Sequence, residues 1–172
     1  MSDTQQTGRE LFETGLRNQH AVENQAVSLL KRQIERLENF PELSERMQRH
    51  LVESETQAKR LEELLAQYGT SHSVVKDTMM SFVGNMAALG HTPAPDEVLK
   101  NNLANYAFEH FEIASYKSLI LLAGFAGEGH AVPILKQSLG EEEAMAQWID
   151  EHFDETIRTF VTRRAAGETA GR

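Results

Sequence analysis

Apolar residues recur along the chain at alternating steps of three and four, the spacing that lines one face of an α-helix. From Leu16 the stripe runs Leu16, His20, Glu23, Val27, Leu30, Ile34 and Leu37. Pro41 closes it, because the residue before a proline is pushed out of the helical region. A second helix is predicted from about Pro41 to Gln67, through Leu43, Met47, Leu51, Ala58, Leu61 and Leu65, with Gly69 as its stop. The third is expected from about Asp96 to Leu122 or Ala123 and is more broadly apolar, with Leu99, Leu103, Tyr106, Ile113 and Ile120 on one side. The fourth reads Val132, Leu135, Leu139, Glu142, Ala146, Ile149, Phe153, Thr156 or Ile157, and Phe160, in which Glu142 is the only charged member. Residues 1 to about 10 read as a loose arm and Arg163 to Arg172 as a frayed tail. The expectation is one domain over 1–172 with its core at about 10–162.

No stretch alternates with a persistent period of two, so the fold class is all-α. Four helices of this length, each about 40 Å, make a long bundle. Between the second and third lie about 28 residues that do not read as bundle helix. Thr70 or Ser71 can cap a short extra helix there, through Val74, Met79, Phe82, Val83 and Met86, ending at Gly90. Met79, Met80 and Met86 would pack this segment against the bundle. A connection of that size can cross the bundle's length, which favours a ferritin-like four-helix bundle of two hairpins over an up-down-up-down arrangement.

Composition narrows the function. Of the 172 residues, 40% are hydrophobic and 25% charged, as in a folded soluble protein. A net charge of −9 argues against nucleic acid or an anionic membrane as partner. The absence of cysteine excludes disulfides, thiolate metal sites and iron–sulfur clusters. No secretory signal is visible, and the most apolar run, Ser118 to Gly127, is too short to span a bilayer, so a cytoplasmic location is expected.

The polar members of the stripes carry the candidate chemistry. Glu23 and Glu53 share the spacing of Glu112 and Glu142, and the midpoint of each pair falls at a predicted turn, near Asn39-Phe40-Pro41 and at Gly127. Hairpins closed at those turns would hold each acid about 22 Å from its turn, facing its partner at mid-height. Buried carboxylates are costly without partners, and four of them at one level suit two bridged cations. Bundle dimetal sites usually add a histidine three residues after a glutamate on two helices, but Thr56 and Met145 stand there. His20, His50 and Glu109 lie three residues before Glu23, Glu53 and Glu112, and Gln57 four after Glu53; these could supply further ligands or orienting bonds. The candidate metal set is Glu23, Glu53, Glu112, Glu142, His50 and Glu109, and such oxygen-rich donors suit iron or manganese, two ions per chain. Tyr106 and Tyr116 are expected as core packing with a satisfied hydroxyl, and Trp148 as boundary packing.

At His50-Leu51-Val52-Glu53-Ser54-Glu55-Thr56-Gln57 and at Phe108-Glu109-His110-Phe111-Glu112-Ile113-Ala114-Ser115-Tyr116, the chain resembles the YciE/YciF-type bacterial ferritin-like proteins, a stress-associated family of unknown function. Ser138-Leu139-Gly140-Glu141-Glu142-Glu143 fits the family's fourth helix, and the resemblance covers about residues 8 to 162. It implies a ferritin-like bundle, a cytoplasmic bacterial protein, a homodimer and a metal site between the helices. By position, Glu23, Glu53, Glu112 and Glu142 match the four ferritin-like acids. Thr56 and Met145 depart from the histidines of ferritin, rubrerythrin and manganese catalase, so the resemblance leaves open whether those activities carry over.

Two functions follow as alternatives. One is a dimetal-carboxylate protein that handles iron or manganese and reacts with a small oxidant, peroxide or oxygen. The other is a non-enzymatic helical dimer that binds a partner under stress, its acids tied by hydrogen bonds and salt bridges. Storage in a closed cage is a third.

Overall fold

The computed structural model describes residues 2–68 and 95–169, and among these every regular element is helical. The order is α1 (Asp3–Ile34), α2 (Pro41–Ala66), α3 (Glu97–Ala126), a short 3-10 turn (Gly129–Ala131), α4 (Val132–Glu151) and α5 (Phe153–Ala165). The all-α expectation holds.

The ends of the helices follow local chemistry. Ser2 caps α1 by accepting a hydrogen bond from the Gln5 backbone N–H at 3.2 Å, and Asp3 complements the positive helix end. The expected loose arm over the first ten residues is therefore helix. Its anchor is Gly8, which is buried so closely against Phe125 and Ala126 that an added Cβ would sit 2.8 Å from the Phe125 Cβ. α1 stops at Ile34, short of the predicted Leu37, where Arg36 N and Leu37 N bond three residues back and tighten the last turn. Pro41 opens α2, where its missing N–H costs nothing. At the other hairpin Gly127 takes φ +81°, and Glu128 N–H closes the cap on Ala123 O at 2.8 Å.

The predicted fourth helix divides at His152. There His152 Nδ1 lies 2.8 Å from Trp148 O, and Thr156 Oγ1 donates to His152 O at 3.0 Å. Side chains competing for helix carbonyls bend the backbone, and φ −105°, ψ 8° at His152 marks the break. The apolar stripe continues across it through Ile149, Thr156 and Phe160, all buried. Helix also extends to Ala165, into the segment expected as tail.

Pairings across the bundle fix its topology. Arg9 lies over the Tyr68 ring and Lys31 pairs with Glu55, so α2 runs antiparallel to α1. Arg36 pairs with Glu97 and Tyr116 bonds Glu23, so α3 also runs antiparallel to α1. Arg60–Glu141 and Gln67–His130 set α4 antiparallel to α2, and Lys117–Glu143 with Tyr106–Asp150 set it antiparallel to α3. The order is up, down, down, up. The end of α2 sits beside the start of α1, while the start of α3 sits beside the end of α1, so residues 69–94 join opposite ends of the bundle. A connection of that kind is the mark of ferritin-like bundles. The extra helix expected through Val74 and Met86, with Met79 and Met80, lies outside the described residues.

The core is layered. One end packs Phe12, Leu16, Leu61, Leu65, Leu119 and Leu135 together, and the other packs Leu30, Leu43, Met47, Val98, Ile149 and Phe160. Between them lies a level of buried polar residues drawn from all four long helices: Gln19 and Glu23, then His50, Ser54 and Gln57, then Glu109 and Glu112, then Ser138 and Glu142. No helix among the described residues is long and apolar enough to cross a membrane.

Candidate metal centre

Each long helix sends its polar residues inward by the same three-and-four spacing that builds the apolar layers. On α1 the buried line is Phe12, Leu16, Gln19, Glu23, Ala26, Leu30 and Gln33, so Gln19 occupies the inward position that the sequence stripe gave to His20. His20 stands at the flank, half-buried, 3.2 Å from Glu62 Oε1 and bonded to Asn24. On α2 the line runs Met47, His50, Ser54, Gln57, Leu61, and Glu53 falls beside it. On α3 it includes Glu109, Glu112 and Tyr116, and on α4 Ser138, Glu142 and Met145.

Three of the four evenly spaced acids, Glu23, Glu112 and Glu142, are wholly buried. Glu53 is not among them. Its side chain keeps 32% of its exposure, and its Oε2 lies 3.0 Å from His50 Nδ1 and 3.1 Å from Arg46 Nη1. His50 takes the inward place instead, because a step of three or four from Met47 reaches residue 50 or 51 and then 54, leaving 53 at the rim. Glu109 supplies the fourth buried carboxylate.

The cluster has two linked halves. His50 Nε2 lies 3.2 Å from Glu109 Oε2 and 3.7 Å from Glu142 Oε2, and the three groups offer ligand atoms within 4.8 Å of one another. In the other half the Gln19 side-chain amide donates to Glu23 Oε1 at 3.0 Å and to Glu112 Oε1 at 3.3 Å. Tyr116 donates its hydroxyl proton to Glu23 Oε1 at 2.5 Å. Glu23 and Glu112 thus meet across α1 and α3, beside the His50–Glu109–Glu142 group.

Burial dominates the electrostatics. It pushes Glu23 up to about 7, against the lowering hydrogen bonds from Tyr116 and Gln19. Glu112 and Glu142 are pushed well above the usual carboxylate range, by burial first and then by neighbouring carboxylates. Burial also opposes charge on Glu109, yet the adjacent His50 prevails and holds it low. His50 is desolvated, but Glu109, Glu53 and Glu142 outweigh that and raise it well above its ordinary value. The hydrogen bond from His50 is the first cause of the lowering at Glu53.

The donors fit a pair of hard cations. Glu23 Oε2, Glu112 Oε2 and both oxygens of Glu142 are buried without a hydrogen-bond partner, while His50 Nε2 and Glu109 Oε2 face each other at 3.2 Å. Unpaired buried polar atoms cost on the order of 1–3 kcal/mol each, a cost that bound cations at this level could offset. Fully ionised, Glu23, Glu109, Glu112 and Glu142 carry the charge that two divalent ions would neutralise. Oxygen donors with one imidazole suit iron or manganese over zinc or copper. Glu53 lies against Nδ1 of His50 at 3.0 Å, and with a metal bound it would accept the Nδ1 proton and leave Nε2 to ligate, the orienting device common to metal-bound histidines. Thr56 is exposed and donates to Val52 O, and Met145 is buried in the apolar layer, so neither offers a substitute ligand. Gln57 reaches outward to Glu141 with its amide at 2.9 Å.

An up-down-down-up bundle with a carboxylate–histidine level at mid-height defines a ferritin-like protein. Residues 7–162 match the family model described as domain of unknown function DUF892, and the chain belongs to that family. A protein of known structure from Xanthomonas campestris pv. campestris is 30% identical, with 92% of this chain and 99% of that one covered and a TM-score of 0.78. YcfI of Rhodopseudomonas palustris is 29% identical over 87% and 97% of the two chains, with a TM-score of 0.71. The E. coli stress protein YciF shares the fold, with 23% identity, coverage of 84% and 92%, and a TM-score of 0.71. The resemblance to YciF-type proteins is thereby borne out.

Gln19 is not on the stripe through His20, but Phe12, Leu16, Gln19, Glu23 and Ala26 keep the same three-and-four alternation and mark it as inward. Tyr116 does have the satisfied hydroxyl expected of it, but its acceptor is a member of the cluster.

Proposed function

We propose that this chain is a stress-associated metalloprotein that binds two iron or manganese ions at the mid-level of its bundle. Glu23, Glu109, Glu112, Glu142 and His50 would hold the pair, and Glu53 would orient His50 from the rim. The observation that carries this reading is the gathering of four buried carboxylates at one level, two of them, Glu109 and Glu142, against one imidazole, with oxygens of Glu23, Glu112 and Glu142 left unpaired. When bound, such ions supply Lewis acidity and one-electron chemistry toward oxygen or peroxide. The protein's own part is to fix the ligands, keep bulk water out through the apolar layers on either side, and hold a proton on Tyr116 against Glu23. The link to stress rests on the name given to YciF.

Anaerobic reconstitution followed by elemental analysis tests the reading. Two equivalents of iron or manganese per chain are expected for the wild type and loss of binding for Glu142→Ala. A wild type that takes up no iron, manganese or zinc sinks it.

The same proposal includes a cytoplasmic homodimer. Its support is the outer face of α3, where Leu103, Leu121 and Phe125 stand 60%, 68% and 58% exposed along one line of the helix. Sedimentation of the wild type beside Leu121→Glu decides it: a dimer that becomes a monomer is expected, and a wild-type monomer excludes it. A shell-sized particle would favour the cage instead.

A further inference from the structure

We propose that Glu42, His152 and Glu155 form a second, single-ion site for zinc, where the start of α2 meets the break between α4 and α5. The site is separate from the mid-level cluster and does not rest on the dimetal reading. Each of the three residues offers a ligand atom within 4.8 Å of the others. Glu42 and Glu155 are exposed and His152 is half-buried, so an ion reaches them directly from solvent. A partly open cavity of about 150 Å³ adjoins all three, walled also by Phe40, Trp148 and Thr159.

His152 carries the argument. Its Nδ1 lies 2.8 Å from Trp148 O. A carbonyl oxygen only accepts, so the ring proton sits on Nδ1 and Nε2 is the nitrogen left to ligate. The ring also stacks on the Trp148 indole, with centroids 4.0 Å apart and planes 14° apart. Bond and stack fix the imidazole before any ion arrives, as orienting partners do for metal-bound histidines. Among the described residues neither Glu42 nor Glu155 forms a hydrogen bond or ion pair through its carboxylate, so both keep their oxygens for a cation. Helix ends explain part of this, since each acid lies in the first turn of its helix, where the macrodipole favours negative charge. They do not explain a histidine locked beside both acids with one nitrogen to spare. The donor set then selects the ion. An imidazole with two carboxylates suits zinc, whereas calcium and magnesium take oxygen ligands. Three protein ligands leave the fourth position of a tetrahedral zinc to water, and the adjoining cavity gives it room.

Trp148 is the only tryptophan in the chain, so its emission reports on this site. Metal-free full-length protein is titrated with cobalt(II), a zinc surrogate that quenches a nearby indole. Saturable quenching at one equivalent is expected, reversed by zinc and unaffected by excess magnesium. In the double variant Glu42→Gln/Glu155→Gln, both changes at exposed positions, cobalt affinity should fall about 100-fold, at least the cost of losing an orienting partner. Equal affinity in the wild type and the double variant overturns the proposal, since the ion would then sit elsewhere. So does a wild type whose emission cobalt leaves unchanged, or whose quenching zinc does not reverse. A chain that fails to load the mid-level pair should still show this response, so the two readings stand or fall separately.

Discussion

Glu53 Oε2 lies 3.0 Å from Nδ1 of His50, on the side of the imidazole away from Glu109 and Glu142. The acid that the even spacing places in the site is instead the support of the residue that enters it. Glu53 and Glu142 should therefore respond differently to substitution. Glu53→Gln should weaken metal affinity about 10–100-fold, as loss of an orienting partner does, with the stoichiometry kept. Glu142→Gln should remove at least one equivalent. Competition titration against a chelator measures both; equal loss in the two variants would make Glu53 a ligand.

The legibility of this site in the sequence is uneven for a geometric reason. Helix existence, the two hairpin turns and the buried Glu23, Glu112 and Glu142 follow from a stripe with few interruptions. The choice between residues 50 and 53, or 19 and 20, turns on one-third of a helical turn, and a stripe that has become polar no longer marks its own centre. Phase must then be taken from the apolar residues on either side, as Phe12–Leu16 and Ala26–Leu30 do for Gln19 and Glu23. The N-terminal helix was illegible because its buried contact is a glycine, which carries no hydrophobic signal. The break at His152 depends on side chain-to-carbonyl bonds that leave the apolar pattern undisturbed.

The metal-free protein should lose stability as pH rises from weakly acidic to neutral. Glu23 has an ordinary value of 4.5 and a folded value of about 7, so between these the folded state keeps a proton that the unfolded chain has released. Its contribution is full below 4.5 and is lost as pH rises through about 7, on the order of 3 kcal/mol for this group. Glu112 and Glu142 act in the same direction, and His50 extends the loss above its ordinary 6.5. Glu53 and Glu109 are held low, so their contribution is present above 4.5 and lost as pH falls below it. Urea midpoints should peak in the weakly acidic range without metal. With metal the trend toward neutral pH should reverse, because binding displaces the protons. A metal-free midpoint that climbs steadily to pH 8 would contradict the assigned protonation.

Replacing a cluster acid with an apolar residue should separate stability from function. Glu142 is fully buried with both oxygens unpaired, and Met145 and Ile149 lie on its helix at the edge of an apolar layer. Glu142→Met keeps similar volume and removes a buried, protonated carboxyl group whose oxygens are unpaired, so the metal-free protein should gain about 1–3 kcal/mol. The same variant should fail to bind the metal pair. Urea unfolding without metal and metal analysis of the same sample check the two halves together. A destabilised Glu142→Met protein would show that the carboxyl group is structural.

Two glycines in long helices should respond to alanine with opposite signs. Gly8 is buried where α1 crosses α3, and a Cβ there would meet Phe125 Cβ at 2.8 Å, the Phe125 carbonyl carbon at 2.9 Å and Ala126 N at 3.1 Å. Two of those three atoms are backbone and cannot move aside by changing rotamer, so Gly8→Ala must push the helices apart. Overpacking of this kind costs about 1–3 kcal/mol. Gly140 lies within α4 with nothing inside 4 Å of the corresponding position. Gly140→Ala should therefore stabilise by about 0.8–1 kcal/mol through helix propensity. Thermal unfolding of the two variants at one pH gives the comparison. A neutral Gly8→Ala protein would mean that the first turns of α1 do not dock on α3, and would restore the loose arm that the sequence suggests.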